Sequence, residues 1–289
     1  MRVHLVDGTY ELFRAHFTPR PGREDPQGRD VKATEGLVNT LLYLLHDQAE
    51  QTTHVAVAFD NPIESFRNDL FPGYKSSAGV DESLLAQFDR AEAATRALGV
   101  AVWSMDRYEA DDALAAGAAR FRDDAEVRIM TIDKDLAQCV VGDRVVQVDR
   151  RNEVVYDADG VRSKHGVAPA SIPDYLALVG DSADGFPGIK GFGKKTAATI
   201  LARYGRLEDI PADGDTWEVT VRGAGSLAQR LQDEWAQAVL YRELATLVTD
   251  IDVGTLEDIA WQGVPREEFL ELCDDLGVTG IADRDWRWA

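Results

Sequence analysis

Cysteine is nearly absent from this chain: Cys139 and Cys273 are the only two among 289 residues. Their spacing offers neither a disulfide framework nor a thiolate zinc site, and fits a reducing cytosol. Histidine is as sparse. The five stand at positions 4, 16, 46, 54 and 165, too scattered for a general base or a ligand cluster. No 18-residue apolar run and no signal-peptide apolar region occurs, so no export or membrane-spanning signal is expected. Positive charge is short as well. The 31 Lys and Arg face 51 Asp and Glu, a net charge of −20, which alone argues against a nucleic-acid partner.

What is there begins with an ordinary globular composition. A hydrophobic share of 45% and a length of 289 residues suit one large or two modest domains. The charge is uneven. From Leu207 to Ala289, six Arg face nineteen Asp and Glu. Between Asp181 and Arg206 the balance reverses, with Lys190, Lys194, Lys195, Arg203 and Arg206 against Asp181 and Asp184. Acid clusters that hold a metal swell the negative total without repelling a phosphate once the metal is bound.

The densest such cluster is Tyr108-Glu109-Ala110-Asp111-Asp112, just before an alanine-rich helical run from Ala113 to Arg120. Alone it reads as an acidic first turn that complements a helix dipole, worth ~0.3–1 kcal/mol. Other acids change that reading. Apolar strands are expected at Arg2–Val6, Val55–Phe59, Val100–Trp103 and Val127–Thr131. Asp7, Asp60 and the pair Asp133/Asp135 follow three of them, and Glu109 to Asp112 follows the other. Helices are expected between them, at Glu11–Phe17, Gly36–Gln48 and Glu82–Leu98, with a possible strand pair at Val145–Val148 and Val154–Tyr156. Alternating strands and helices imply an α/β fold with a mostly parallel sheet flanked by helices, and active sites of such sheets lie beyond the strands' carboxyl ends. Four acidic groups at one sheet edge point to metal ligands. The three carboxylates of the dense cluster should not be equivalent: 109 and 112 share a helix face, while Asp111 points elsewhere and is the candidate to bridge two ions.

The second half reads as helices. After Ser171–Val179 comes Gly180-Asp181-Ser182-Ala183-Asp184-Gly185-Phe186-Pro187-Gly188-Ile189-Lys190-Gly191-Phe192-Gly193-Lys194-Lys195-Thr196-Ala197. Gly188, Gly191 and Gly193 imply a tight turn between helices that presents backbone N–H groups beside Lys194 and Lys195. That suits a phosphodiester backbone without base readout. Gly188 to Lys195 also approximates a P-loop, but Lys195 stands where Ser or Thr should, and no strand leads in. An aspartyl-phosphatase reading of Asp7 fails because position 9 is Thr. The segment from Leu201 to Ala289 is helical with no visible chemistry, and Trp286 and Trp288 are expected to be packing residues.

Six of these motifs, in order, resemble the 5′-nuclease family: the 5′→3′ exonuclease domain of bacterial DNA polymerase I and stand-alone flap endonucleases. They are Leu5-Val6-Asp7-Gly8, Ala58-Phe59-Asp60, Phe66-Arg67 with Tyr74-Lys75, Glu109-Ala110-Asp111-Asp112, Thr131-Ile132-Asp133-Lys134-Asp135-Leu136, and Gly180-Asp181 through Ala197. The resemblance implies a catalytic α/β domain over 1–170, with a small arch at about 65–98. It implies a helical DNA-binding domain over 171–289, with a helix–three-turn–helix at about 180–205. It implies one metal site of Asp7, Asp60, Glu109 and Asp111, and another of Asp133, Asp135 and Asp184, with Asp112 and Asp181 in outer or water-mediated roles. Two or more Mg2+ or Mn2+ ions and a K+ ion in the Gly188–Gly193 turn follow from it. So do phosphate-side roles for Arg14, Arg67, Tyr74 and Lys75, and duplex contacts by Gly188, Lys190, Gly191, Gly193, Lys194, Lys195 and Thr196. The implied partner is DNA with a 5′ flap, nick or 5′ end, including RNA–DNA primer junctions. The enzyme would be cytoplasmic, nucleoid-associated and monomeric, without a membrane. Ser76-Ser77-Ala78-Gly79-Val80 departs from the family's usual basic and Pro-rich continuation after Tyr-Lys. Alternatives are a 5′ ribonuclease or RNA–DNA hybrid nuclease, or a DNA-structure-binding module with weak activity. The chain ends at Ala289 with no polymerase domain following, so a stand-alone enzyme or a fragment is expected.

Overall fold

The structure is a computed structural model that describes residues 1–282, 284 and 286–289. In chain order the elements begin with β1 (Arg2–Asp7), α1 (Gly8–Phe17), α2 (Lys32–His46), β2 (His54–Asp60), α3 (Arg67–Leu70), α4 (Glu82–Leu85) and α5 (Phe88–Ala97). They continue with β3 (Ala101–Met105), α6 (Ala110–Phe121), β4 (Glu126–Met130), β5 (Val145–Asp149), β6 (Val154–Tyr156), α7 (Ala158–His165) and α8 (Ile172–Val179). The last are α9 (Lys194–Tyr204), α10 (Ala224–Asp233), α11 (Trp235–Ala245) and α12 (Arg266–Leu276). Two compact units result: Met1–Ile63 with Ser77–Thr131 and Thr249–Ala289, and Glu64–Ser76 with Ile132–Val248. Among the described residues no helix is long and apolar enough to cross a membrane.

In the first unit β1 pairs in parallel with both β2 and β4, and β2 with β3, giving the order β3-β2-β1-β4. The interior strands β1 and β2 are buried almost throughout, which is why both read as continuous apolar runs rather than alternating ones. Leu37, Val38, Leu41, Leu42, Leu44 and Leu45 of α2 are buried too; each fully buried aliphatic side chain contributes ~1.5–3 kcal/mol. The chain direction across the sheet reverses at β1, so the crevice of a doubly wound sheet falls at the carboxyl ends of β1 and its neighbours. Gly8 follows β1 because nothing larger fits. A Cβ there would lie 2.6 Å from the Phe59 ring and 2.7 Å from the Ala58 carbonyl oxygen.

Three local features differ from the sequence expectation. The helix expected over Glu82–Leu98 is two helices, α4 and α5, parted at Gln87. That side chain turns inward, and its oxygen accepts from the backbone N–H and hydroxyl of Thr34 at 3.0 and 3.2 Å. It serves the start of α2, which has no side-chain cap of its own. The helix α2 itself starts at Lys32, four residues before Gly36, with Asp30 accepting from the Lys32 N–H at 2.9 Å. Residues 249–289, expected in the helical domain, belong to the first unit. Val55 N–H donates to the Ile259 carbonyl and Trp261 N–H to that of Thr53, both at 2.9 Å, and the Trp261 indole donates to the Leu98 carbonyl. Trp286 packs against His46 and Phe269, and Trp288 against Phe269.

The second unit carries the antiparallel pair β5–β6 and a helical core. Its connection from α8 to α9 is bolted down by Phe186, Ile189 and Phe192, all buried. Gly188 has φ +71°, and a Cβ there would stand 2.3 Å from the Gly180 nitrogen. Gly188→Ala should therefore lower stability by at least about 2 kcal/mol. Gly193→Ala, at the N-cap of α9 with φ −78° and no described atom within 4 Å, should cost only about 0.5–1 kcal/mol. Urea unfolding of the pair checks the difference; equal losses would contradict it.

Candidate metal centre

The first unit's acids sit where strands hand over to helices. Asp7 ends β1 and caps α1: its Oδ1 accepts from the Tyr10 N–H at 2.8 Å, and its Oδ2 from the Thr131 hydroxyl at 2.9 Å. Asp60 ends β2. Its Oδ1 accepts from the Ala110 N–H at 2.7 Å, the first residue of α6, and its own N–H donates to the Thr9 hydroxyl oxygen at 2.8 Å. Both carboxylates therefore face positive helix ends, where negative charge is favoured. Glu109 and Asp112 form a reciprocal capping box at the start of α6, with the Glu109 N–H donating to Asp112 Oδ2 at 3.0 Å. Asp112 is fully buried by this job, whereas Asp111 in the same turn is half-buried. Within the dense cluster, 109 and 112 are thus joined by the capping box, and Asp111 is the less buried carboxylate of that turn.

The second unit's group is tighter. One carboxylate oxygen each from Asp135, Asp181 and Asp184 lies within 4.8 Å of the others, and all three residues are buried. Asp135 opens a one-turn helix, and its N–H donates to Asp133 Oδ1 at 2.9 Å. Gln147 on β5 donates to the Asp133 carbonyl. Asp181 is held by paired backbone bonds with Phe186, at 2.8 and 3.0 Å, and its Oδ1 accepts from the Ala183 N–H. Asp133 is half-buried beside this trio rather than within it. Among the described residues, buried Asp135 Oδ1 has no hydrogen-bond partner. Burial, followed by the neighbouring Asp133 and Asp184, pushes the Asp135 carboxyl well above its usual range.

Two lysines approach the trio. Lys134 forms an ion pair with Asp181 and lies 3.8 Å from Asp135 Oδ1. Burial works against its charge, but Asp135, Asp181 and Asp133 outweigh that and raise its pKa. Lys75 Nζ lies 3.7 Å from Asp184 Oδ1, and its N–H donates to the Asp184 carbonyl at 3.0 Å. Burial, with Lys164 next, depresses His165 to about 4, so its ring is neutral at pH 7 and supplies no counter-charge. The residues fit a hard cation. The donors are all carboxylate oxygens, the set that magnesium and manganese take, and one buried oxygen is left unpartnered.

The remaining expected residues take varied places. Arg67 is 1% exposed; its Nε donates to the Leu244 carbonyl at 2.8 Å and Nη2 to that of Thr246 at 3.0 Å. That binds it to the end of α11, where a cation suits the carbonyls. Tyr74 is buried in the helical core, which does not present its ring as a stacking platform. Arg14 is half-buried and bonded to Glu11 and Thr40. Lys190, Lys194 and Lys195 are exposed and Thr196 half-buried, with Lys194 and Lys195 opening α9 after Gly193. Gly191, like Gly188, has positive φ. The element before the turn is α8, a helix, which removes the P-loop reading. Thr9, Thr131 and Lys134 are site residues that the motif reading did not single out. Their only signal is a hydroxyl or cation one to three places from a strand-end acid.

Two family models cover the chain: a 5′-3′ exonuclease N-terminal resolvase-like domain over residues 2–166, and a 5′-3′ exonuclease C-terminal SAM fold over 167–267. The chain belongs to the 5′→3′ exonuclease family. This exonuclease-family chain is 36% identical over 270 residues to DNA polymerase I of Pseudomonas aeruginosa, a match covering 92% of it and 29% of the polymerase. It is 31% identical over 289 residues to DNA polymerase I of Bacillus caldotenax, covering 98% of it and 32% of that protein. It thus spans about a third of the length of these relatives. Its fold is that of the T5 D15 flap endonuclease, solved in a pseudo-enzyme-product complex with DNA and metal ions (TM-score 0.64, 20% identity, 98% of this chain and 100% of that one). It is also that of the catalytic core of Rad2 in complex with DNA substrate (TM-score 0.62, 14% identity, 95% and 87%).

A raised Asp135 pKa means that ionising this carboxyl costs stability. The protonated form's contribution is full below the unfolded pKa and is lost as pH rises through the folded one. In EDTA, Asp135→Asn should therefore raise the melting temperature at pH 7 by about 2–4 °C, with a smaller gain at pH 4. A lower melting temperature at pH 7 would contradict the assignment.

Proposed function

We propose that this chain is a structure-specific 5′ nuclease. It hydrolyses DNA phosphodiesters at 5′ ends, nicks and flap junctions with Mg2+ or Mn2+, two or more ions per active site. One observation carries the reading: three buried carboxylates, Asp135, Asp181 and Asp184, converge within 4.8 Å in a chain whose family is the 5′→3′ exonucleases. Asp7, Asp60, Glu109 and Asp111 would hold one ion, and Asp135, Asp184 and Asp181 another with Asp133 beside them. When bound, such ions lower the pKa of an attacking water and stabilise the attacking and leaving oxygens.

The chain's own residues do the rest. Thr131 and the Tyr10 N–H fix the orientation of Asp7, and the Ala110 N–H that of Asp60. Lys75 offers its ammonium to charge growing on the phosphate. The buried Arg67 and Tyr74 hold the segment that carries Lys75, so their contribution is positioning. The exposed Lys190, Lys194 and Lys195, with the N–H groups that open α9, grip duplex phosphates without reading sequence, a K+ ion sitting in the Gly188–Gly193 turn. In this division residues to about 170 are catalytic, the following helices hold the duplex, and the protein works as a cytoplasmic, nucleoid-associated monomer.

Product mapping on a labelled 5′-flap DNA with magnesium, beside a matched RNA flap, tests the reading. Cleavage at the DNA junction is expected, and Asp184→Asn should reduce it at least about 100-fold while duplex binding survives. Activity confined to the RNA flap, or undiminished in the variant, would reject it. Lys194→Ala with Lys195→Ala should lower the slope of log affinity against log salt by about 2. An unchanged slope would remove this turn as the duplex grip.

A further inference from the structure

Three buried carboxylates within 4.8 Å of one another are unstable as neighbours unless positive charge stands among them. The structure supplies that charge from within. Lys134 pairs with Asp181 and reaches toward Asp135, and Lys75 stands at Asp184. Two ammonium groups carry the same charge as one divalent ion. They stand beside the same three carboxylates that such an ion would need, and like charges so close repel strongly. Both cannot keep their places once the ion is bound.

Lys134 is built to leave. Its side chain is 36% exposed, whereas those of its partners Asp181 and Asp135 are 3% and 8% exposed. Its two neighbours in the chain are held without it: the Asp135 N–H donates to Asp133 Oδ1, and Gln147 on β5 donates to the Asp133 carbonyl. The four-carbon stem can therefore swing to solvent while the ligand residues stay in place. The unpartnered Asp135 Oδ1 is the position that this ammonium serves incompletely, at 3.8 Å. We propose that Lys134 is the internal counter-cation of the Asp135–Asp181–Asp184 group, and that a divalent ion binds there by taking its place. The exchange lets the site fold without metal and sets how tightly metal binds. It rests on the reading of this group as a metal centre.

Lys134→Met and Lys134→Arg test it by thermal unfolding in EDTA and in saturating Mn2+, with Mn2+ binding followed by electron paramagnetic resonance. Lys134→Met should lose about 3 °C or more in EDTA but less than about 1 °C in Mn2+, and should bind Mn2+ several-fold more tightly. Lys134→Arg keeps the charge and should stay near wild type in EDTA. Equal losses in EDTA and Mn2+ would show that the lysine stays engaged beside the ion, and no loss in EDTA would show that it neutralises nothing; either result overturns the proposal. Wild-type protein that binds no Mn2+ would instead overturn the metal reading on which the proposal stands.

Discussion

Mutual repulsion among buried carboxylates is the constraint on which this molecule depends. The acids of its two candidate ion-binding groups are largely withdrawn from solvent, unlike most of the other acids of the chain. Asp7, Asp60, Glu109, Asp112, Asp135, Asp181 and Asp184 are all buried, and a buried carboxylate is tolerated only with hydrogen bonds, helix dipoles or cations around it. The first unit meets the demand with backbone: helix starts at α1 and α6 donate to Asp7 and Asp60. The second unit adds side-chain cations to the Ala183 N–H that serves Asp181, because its trio lies in turns and a one-turn helix rather than at the ends of long helices. Lys134 and Lys75 are those cations.

The same contrast explains what was legible in the sequence. Strand-end acids were readable because a parallel sheet buried on both faces writes its strands as unbroken apolar runs, and an aspartate after such a run stands out. Asp7 and Asp60 follow from this directly. By resemblance Asp133 was a ligand and Asp181 had an outer or water-mediated role; in the fold Asp181 stands with Asp135 and Asp184 in the buried trio, and Asp133 is half-buried. Spacing along a turn does not say which carboxylate points inward; the paired bonds between Asp181 and Phe186 decide that, and they form only on folding. Arg67 and Tyr74 were similarly opaque. A basic or aromatic residue beside a motif looks exposed until the core that covers it is known, and here Arg67 closes the end of α11 while Tyr74 joins the helical core. The split between α4 and α5 had no periodic signal either, because it answers a need of α2 for an acceptor from Gln87.

Net charge misleads for a related reason. A total of −20 sums acids that the fold buries with acids it exposes, and a partner meets only the exposed ones. The turn before α9 and the first residues of that helix display Lys190, Lys194 and Lys195 to solvent, while Asp181 and Asp184 of the preceding loop are buried. A loop that is nearly balanced in sequence is therefore basic on its surface.

The most direct measurement is the number of Mn2+ ions bound per chain, by equilibrium titration with electron paramagnetic resonance detection. Two ions are expected for the unaltered protein, and one for a chain carrying Asp135→Asn with Asp184→Asn, in which the Asp7–Asp60 group remains. The same number of ions bound by the unaltered protein and by the doubly substituted chain would contradict a metal centre built on Asp135, Asp181 and Asp184.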